Sequence, residues 1–173
     1  EAYLIKTQDP TAITYQEDNY HSDAISGATI GVSPFFALAQ EALANEPAMP
    51  GKYTDGYYYA EEADFSEETG WKSMVDVTVV NGYIEAVNWN ATHKDGGDDK
   101  VTQSMNGEYG MLENGGAQSA WYTQAEIVEA YLIDTQDPAE ITYMEDNYHT
   151  DAISGATIGV SPFFTLVSEA LGL

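Results

Sequence analysis

The chain has 173 residues, 43% of them apolar, with 29 acidic side chains against five lysines, no arginine and a net charge of −24. That balance argues against nucleic acid and anionic membrane surfaces, both of which need cationic partners. Cysteine is absent, which rules out disulfides and thiolate metal sites, and no apolar run approaches the roughly 18 residues of a membrane span. An acidic surface of this kind keeps a protein soluble outside a cell or in high salt. Without a guanidinium, a phosphate ligand must be held by backbone N–H groups, hydroxyls or a covalent bond.

In chain order, residues 1–45 come first and then return: they align with 129–173 at an offset of 128, with 35 of 45 positions identical. A period of that length is a whole domain. Residues 1–45 therefore read as the C-terminal part of a preceding repeat, and the chain as a piece of something longer. Their helix near 34–44 has Phe36, Leu38 and Leu43 to bury, and so short a segment rarely folds alone. It is expected to dock head-to-tail on another copy or repeat of the module. Two prolines and two glycines in NEPAMPGKYTDG mark a linker at 46–56, which leaves 57–173 as a complete domain.

Within that domain, the aromatic run 57–65 reads as a strand. Residues 73–90 read as a hairpin: Val75, Val77 and Val79 alternate, and Asn81-Gly82 supplies a type I′ turn. Residues 93–118 are polar and glycine-rich, a long loop whose acids lack EF-hand spacing. A helix at 119–134 carries an apolar stripe of Trp121, Ala125, Val128 and Leu132, and Asp137-Pro138 stops it. EITYM at 140–144 reads as a short strand. Ser161-Pro162 reads as an N-cap with proline at the first helical position, and Phe164, Leu166, Val167 and Leu171 take the last helix into the core. The class is α+β, an antiparallel sheet with packed helices.

The segment DAISGATIGVSPFF occurs at 23–36 and, unchanged, at 151–164. Ser154, Gly155, Ala156 and Thr157 are small, as are Ser26, Gly27, Ala28 and Thr29, so a ligand or backbone can approach closely. An anion near Thr157 or Ser161 would be favoured by the helix that begins there. A tight, capped connection into that helix explains the same residues equally well. The segment is neither a P-loop nor a G-x-G-x-x-G turn.

D-A-I-S-G-A-T resembles the flavinylation motif of FMN-binding domains. These include the flavin subunits of sodium-pumping NADH:quinone reductase and Rnf complexes and the exported, tandem FMN-binding domains of Gram-positive bacteria. The resemblance extends over 52–173 and implies an FMN-binding-domain fold. It implies that Thr157 and Thr29 carry FMN as a phosphoester installed by a flavin transferase, with Asp151 and Asp23 as the leading acids. GEYGM at 107–111 takes the place of a segment that neighbours the flavin ring. Where many members have further hydroxyls, Ile158-Gly159-Val160-Ser161 follows here. Among thirteen tyrosines and three tryptophans, Tyr109, Trp121 and Tyr122, with Met111, are candidates to lie against the ring. His149 and His21 are read as surface histidines that could also approach the phosphate. The function implied is an extracellular or cell-surface electron carrier, one flavin per module, rather than a turnover enzyme. The alternatives are a flavin-dependent reductase of a soluble acceptor, and a structural repeat or filament subunit.

Overall fold

The computed structural model describes residues 1–45, 49–113 and 115–173. Residues 46–48 of the expected linker and Asn114 of the expected long loop lie outside the described residues. The chain divides into two compact units, Glu1–Met49 and Pro50–Leu173.

In the first unit, α1 (Ala2–Thr7) and α2 (Ser33–Ala44) are joined by an irregular segment. Ile13, Val32 and Phe36 form a small core against Tyr3, Leu4, Tyr15 and Ile25. Of the three side chains expected to be buried by the second helix, only Phe36 is; Leu38 and Leu43 are exposed. The described residues of this unit contain no strand for them to pack on.

The second unit is built on a three-stranded antiparallel sheet, β1 (Gly56–Glu61), β2 (Trp71–Val80) and β3 (Tyr83–His93), in that spatial order. Asn81 and Gly82 both take positive φ, 52° and 76°, which is the backbone a type I′ turn requires. Val75, Val77 and Val79 are buried on one face of β2. The β2–β3 register shifts between Thr78 and Val79, so that Ile84 and Val87 both turn inward although they are an odd three positions apart.

Three helices complete the unit: α3 (Lys100–Met105), α4 (Trp121–Thr135) and α5 (Ser161–Leu171). The whole predicted stripe of α4 is buried, and it packs on β3 while α5 packs on β2 and β1. Side chains of α4 and its C-cap also cover β3. The Gln136 amide exchanges two hydrogen bonds with the backbone of Ile84, at 2.7 and 2.9 Å, and the Trp89 N–H donates to Glu129 at 2.6 Å. An open sheet edge is thereby occupied.

Several expectations are corrected. Part of the predicted long loop folds as α3, capped by Asp99, whose carboxylate accepts from the Thr102 N–H at 2.9 Å. EITYM is not a strand: the Thr142 carbonyl accepts from the Thr150 hydroxyl at 2.6 Å and the Met144 N–H donates to His149, which closes a loop where a ladder would run. Ser161 is the first helical residue of α5 and not its cap, since Val160 holds that position. Residues 50–55 of the expected linker are fastened to the hairpin turn, with Gly51 and Tyr53 N–H donating to the Asn81 and Gly82 carbonyls at 2.8 and 3.1 Å. A Cβ on Gly51 would sit 2.1 Å from the Gly82 carbonyl oxygen, so this approach needs glycine.

Candidate functional site

Gln124 lies on the buried stripe of α4, one turn after Trp121. Its side-chain oxygen accepts three hydrogen bonds: from the Thr157 N–H at 2.6 Å, the Thr157 hydroxyl at 3.1 Å and the Ile158 N–H at 3.2 Å. Its amide nitrogen donates to the Ser119 carbonyl at 3.1 Å. A buried side chain so placed fixes the backbone on both sides of Thr157 and aims its hydroxyl. Gly155, at φ 91°, supplies the left-handed turn that leads into this segment.

Thr157 opens on a cleft of about 680 Å³, within the range of small-molecule sites. Aromatic side chains from five parts of the unit converge there: Trp71 of β2, Trp89 of β3, Trp121 of α4, and Tyr109 and Tyr148 from two different loops, with Met111 beside them. Tyr148 is held by a close approach: its ring lies where a Cβ of residue 159 would be, 1.8 Å away, so only Gly159 allows it. Trp89 meets Trp121 at 5.1 Å and Phe163 at 5.2 Å between ring centroids.

The cleft holds one lysine. The Lys100 ammonium stands 4.6 Å from the Trp121 ring centroid, 4.9 Å from Tyr109 and 5.5 Å from Trp71. Among the described residues it makes no ion pair, whereas Lys52 pairs with Asp137 at 2.9 Å and Lys72 with Glu61 at 2.6 Å. Burial pushes the Lys100 pKa down to about 8, against the opposing charge of Glu62. Burial, helped by the neighbouring Tyr148, holds the Tyr109 phenol above its usual pKa, and burial, helped by the charges of Glu62 and Glu68, does the same for Tyr148. Trp89 is buried, and its indole N–H is the one buried side-chain polar group without a partner among the described residues.

The cleft thus brings together four residues named from the sequence: Thr157, Tyr109, Met111 and Trp121. Tyr122 is not among the residues that line it. Asp151, Ser154 and Gly155 are exposed outside it, and Ala156 is buried in the core. Ser161 lines a separate, open depression with Glu61 and Glu62. His149 is bound to Asp146 at 2.6 Å, away from the leading acid Asp151. In the first unit Asp23, Ser26, Gly27 and Thr29 are exposed and Ala28 half-buried, and Asp23 accepts from the Gln16 amide at 2.6 Å. Gln124, Lys100, Trp89, Trp71 and Tyr148 were not foreseen. A glutamine inside an otherwise apolar stripe was a readable signal for the first of them.

Two solved structures match the chain. A solution structure from Clostridium thermocellum is 58% identical, with the match covering 69% of this chain and 90% of that one at a TM-score of 0.53. A crystal structure from Clostridium perfringens is 22% identical, covering 69% and 87% at a TM-score of 0.51, and shares the fold. No family model and no curated protein matches the chain.

Proposed function

The chain belongs to the family of the Clostridium thermocellum protein, and we propose that it is an electron-transfer module carrying FMN as a phosphoester on Thr157. The observation that carries this reading is the position of Thr157: the last residue of S-G-A-T presents its hydroxyl at an aromatic-lined cleft of about 680 Å³. The residues present fit the group. Flat rings and a thioether suit an isoalloxazine, the unpartnered Trp89 indole N–H offers a donor, and Lys100 offers the one ammonium of an otherwise acidic cleft. Glu62 and Glu68 in the same cleft repel a free anion, so a covalent tether suits this site better than affinity does.

FMN held there supplies reversible one- and two-electron chemistry. The chain's own work is to hold it, orient it and restrict water. Gln124 orients the Thr157 hydroxyl by accepting its hydrogen bond. Ester formation removes that hydroxyl hydrogen, but the two backbone N–H groups still bind Gln124 and keep the attachment point rigid. Thr29 repeats the motif and is proposed as a second acceptor. The acidic surface and tandem format support work outside the cytosolic membrane, in series with other flavin-bearing modules.

The test is intact mass, with absorbance of the acid-precipitated chain, after co-expression with a flavin transferase. Yellow colour is expected to stay with the denatured polypeptide. Thr157→Ala should lose the flavin of the second unit, and Thr29→Ala/Thr157→Ala should lose all of it without change in far-UV circular dichroism. A double variant that keeps covalent flavin overturns the assignment.

A further inference from the structure

We infer that Lys100 and the Trp89 indole N–H act together as a donor pair for the oxygen- and nitrogen-bearing edge of the isoalloxazine, with the Lys100 charge favouring the reduced ring. This rests on the FMN reading above and adds which residues set the potential.

Two independent oddities meet at one place. An indole N–H buried without an acceptor is a rare and unfavourable arrangement, and it points to an absent partner. An ammonium surrounded by three aromatic rings and paired with no carboxylate is likewise incompletely compensated. Both groups abut the same ring: Trp89 packs on Trp121 at 5.1 Å, and Lys100 lies 4.6 Å from the Trp121 centroid. A ligand that satisfies both must be flat enough to enter among rings and must present acceptors at its edge.

The phosphate does not meet that description. It is anchored at Thr157, which is exposed, and a phosphodiester keeps its water there. Trp121, against which Lys100 stands, lies one helical turn from Gln124, the residue that holds Thr157. The Lys100 ammonium is part-buried among three rings while Thr157 is exposed, so the amine is assigned to the part of the ligand that goes inward. Its lowered pKa agrees, because an amine short of compensation gains most from an anionic neighbour.

When dithionite reduces the ring, it supplies two electrons and is oxidised to sulfite, and one proton comes from solvent. The ring then carries one net negative charge, which the Lys100 ammonium stabilises. No bond to the protein forms or breaks.

The experiment uses the full chain loaded by co-expression with a transferase. Intact mass comes first, then spectroelectrochemical titration at pH 7 of wild type, Lys100→Met and Lys100→Arg, with Lys100→Gln as the uncharged variant should the methionine variant not fold. Lys100→Met is expected to keep its covalent flavin and to favour the oxidised form at least tenfold more than wild type, about 30 mV for a two-electron couple. Lys100→Arg should stay within threefold. The Trp89 indole N–H resonance, assigned with Trp89→Phe, should move downfield in the loaded chain relative to Thr157→Ala. An uncharged variant with the wild-type potential, a loss of loading in place of a shift, or an unmoved indole resonance overturns the inference and leaves the FMN reading standing. A wild-type chain with no covalent flavin overturns both.

Discussion

Residues 1–45 and 129–173 are nearly the same sequence in two settings. Locally they fold alike. Gln8 and Gln136 take φ 55° and 58°, Asn19 and Asn147 both 55°, and Gly27 and Gly155 83° and 91°. The Ser22 hydroxyl donates to the Thr14 carbonyl as the Thr150 hydroxyl does to Thr142, both at 2.6 Å, and Val32 and Val160 donate to Tyr20 and Tyr148, both at 2.9 Å. Burial is where they part. Phe163 is 0% exposed and Phe35 38%; Leu166 is 3% and Leu38 65%; Ile158 is 8% and Ile30 72%. Short-range hydrogen bonds and left-handed turns are written into the segment itself. The environment of the motif threonine is written into the sheet and α4, which only the second copy has within its unit.

The largest test of that division truncates matched core positions. Phe163→Ala should destabilise the second unit by about 3–5 kcal/mol and Leu166→Ala by about 2–5 kcal/mol. Phe35→Ala and Leu38→Ala, on the exposed side of the first copy, should change stability by about 0.5 kcal/mol or less. Urea denaturation followed by tryptophan fluorescence reads the second unit, where Trp71, Trp89 and Trp121 all lie, and amide exchange in the same urea series reads the first. Matched losses in both copies would mean that the first copy is also covered in solution.

Gln124 comes next, as the residue that gives Thr157 a setting Thr29 lacks. Gln124→Ala leaves the Thr157 and Ile158 N–H groups without their acceptor, at about 1–3 kcal/mol. Amide exchange at 157 and 158 should rise to the level of 29 and 30, which have no such partner among the described residues. Continued protection at 157 and 158 would show that the turn is held by the segment alone.

What was legible in the sequence follows the same line between local and distant causes. The hairpin was readable because alternating valines and Asn-Gly act over a few residues. The stripe of α4 was readable from its spacing. EITYM failed because β-propensity says nothing about a partner, and Thr142 spends its carbonyl on Thr150. Thr157 was found through the motif, and Tyr109, Met111 and Trp121 through aromatic chemistry. Lys100 and Trp89 were not, because what distinguishes them is a missing partner, and only the assembled unit reveals it.

A smaller effect separates the units by pH. Lys6 of the first unit is exposed, while Lys100 is part-buried with a pKa near 8. Below pH 8 the penalty on the charged Lys100 is present in full. From pH 8 upward the folded state releases its proton while the unfolded chain keeps one, so stability rises, by about 1–2 kcal/mol after solvent screening. Above pH 10 the trend reverses, since Tyr109 and Tyr148 remain protonated in the fold while ionising in the unfolded chain. Thermal melts of the second unit should therefore rise from about pH 8 to a peak near pH 10, and Lys100→Met should flatten the rise. A rise that survives in that variant would assign it to another group.

The smallest effect should be the same in both copies. His21 stands 2.5 Å from Asp18 and His149 2.6 Å from Asp146, each pair on the surface. In the first pair the His21 ring and then the backbone N–H groups of His21 and Tyr20 hold the Asp18 carboxylate down to about pKa 2. In the second, the His149 N–H, then its ring, then the Tyr148 N–H hold Asp146 down to about 2 as well. A depressed acid stabilises the fold above its unfolded pKa and loses that contribution as pH falls from about 3.8 toward 2. Carboxyl NMR titrations of Asp18 and Asp146 should superimpose, because every donor lies within three residues and none comes from the sheet. His21→Ala and His149→Ala should shift them upward equally, with backbone donors keeping both below an unbonded aspartate. If the two curves separate, the sheet reaches further into the repeated segment than its hydrogen bonds indicate, and the line between local and distant causes must be drawn closer to the turn.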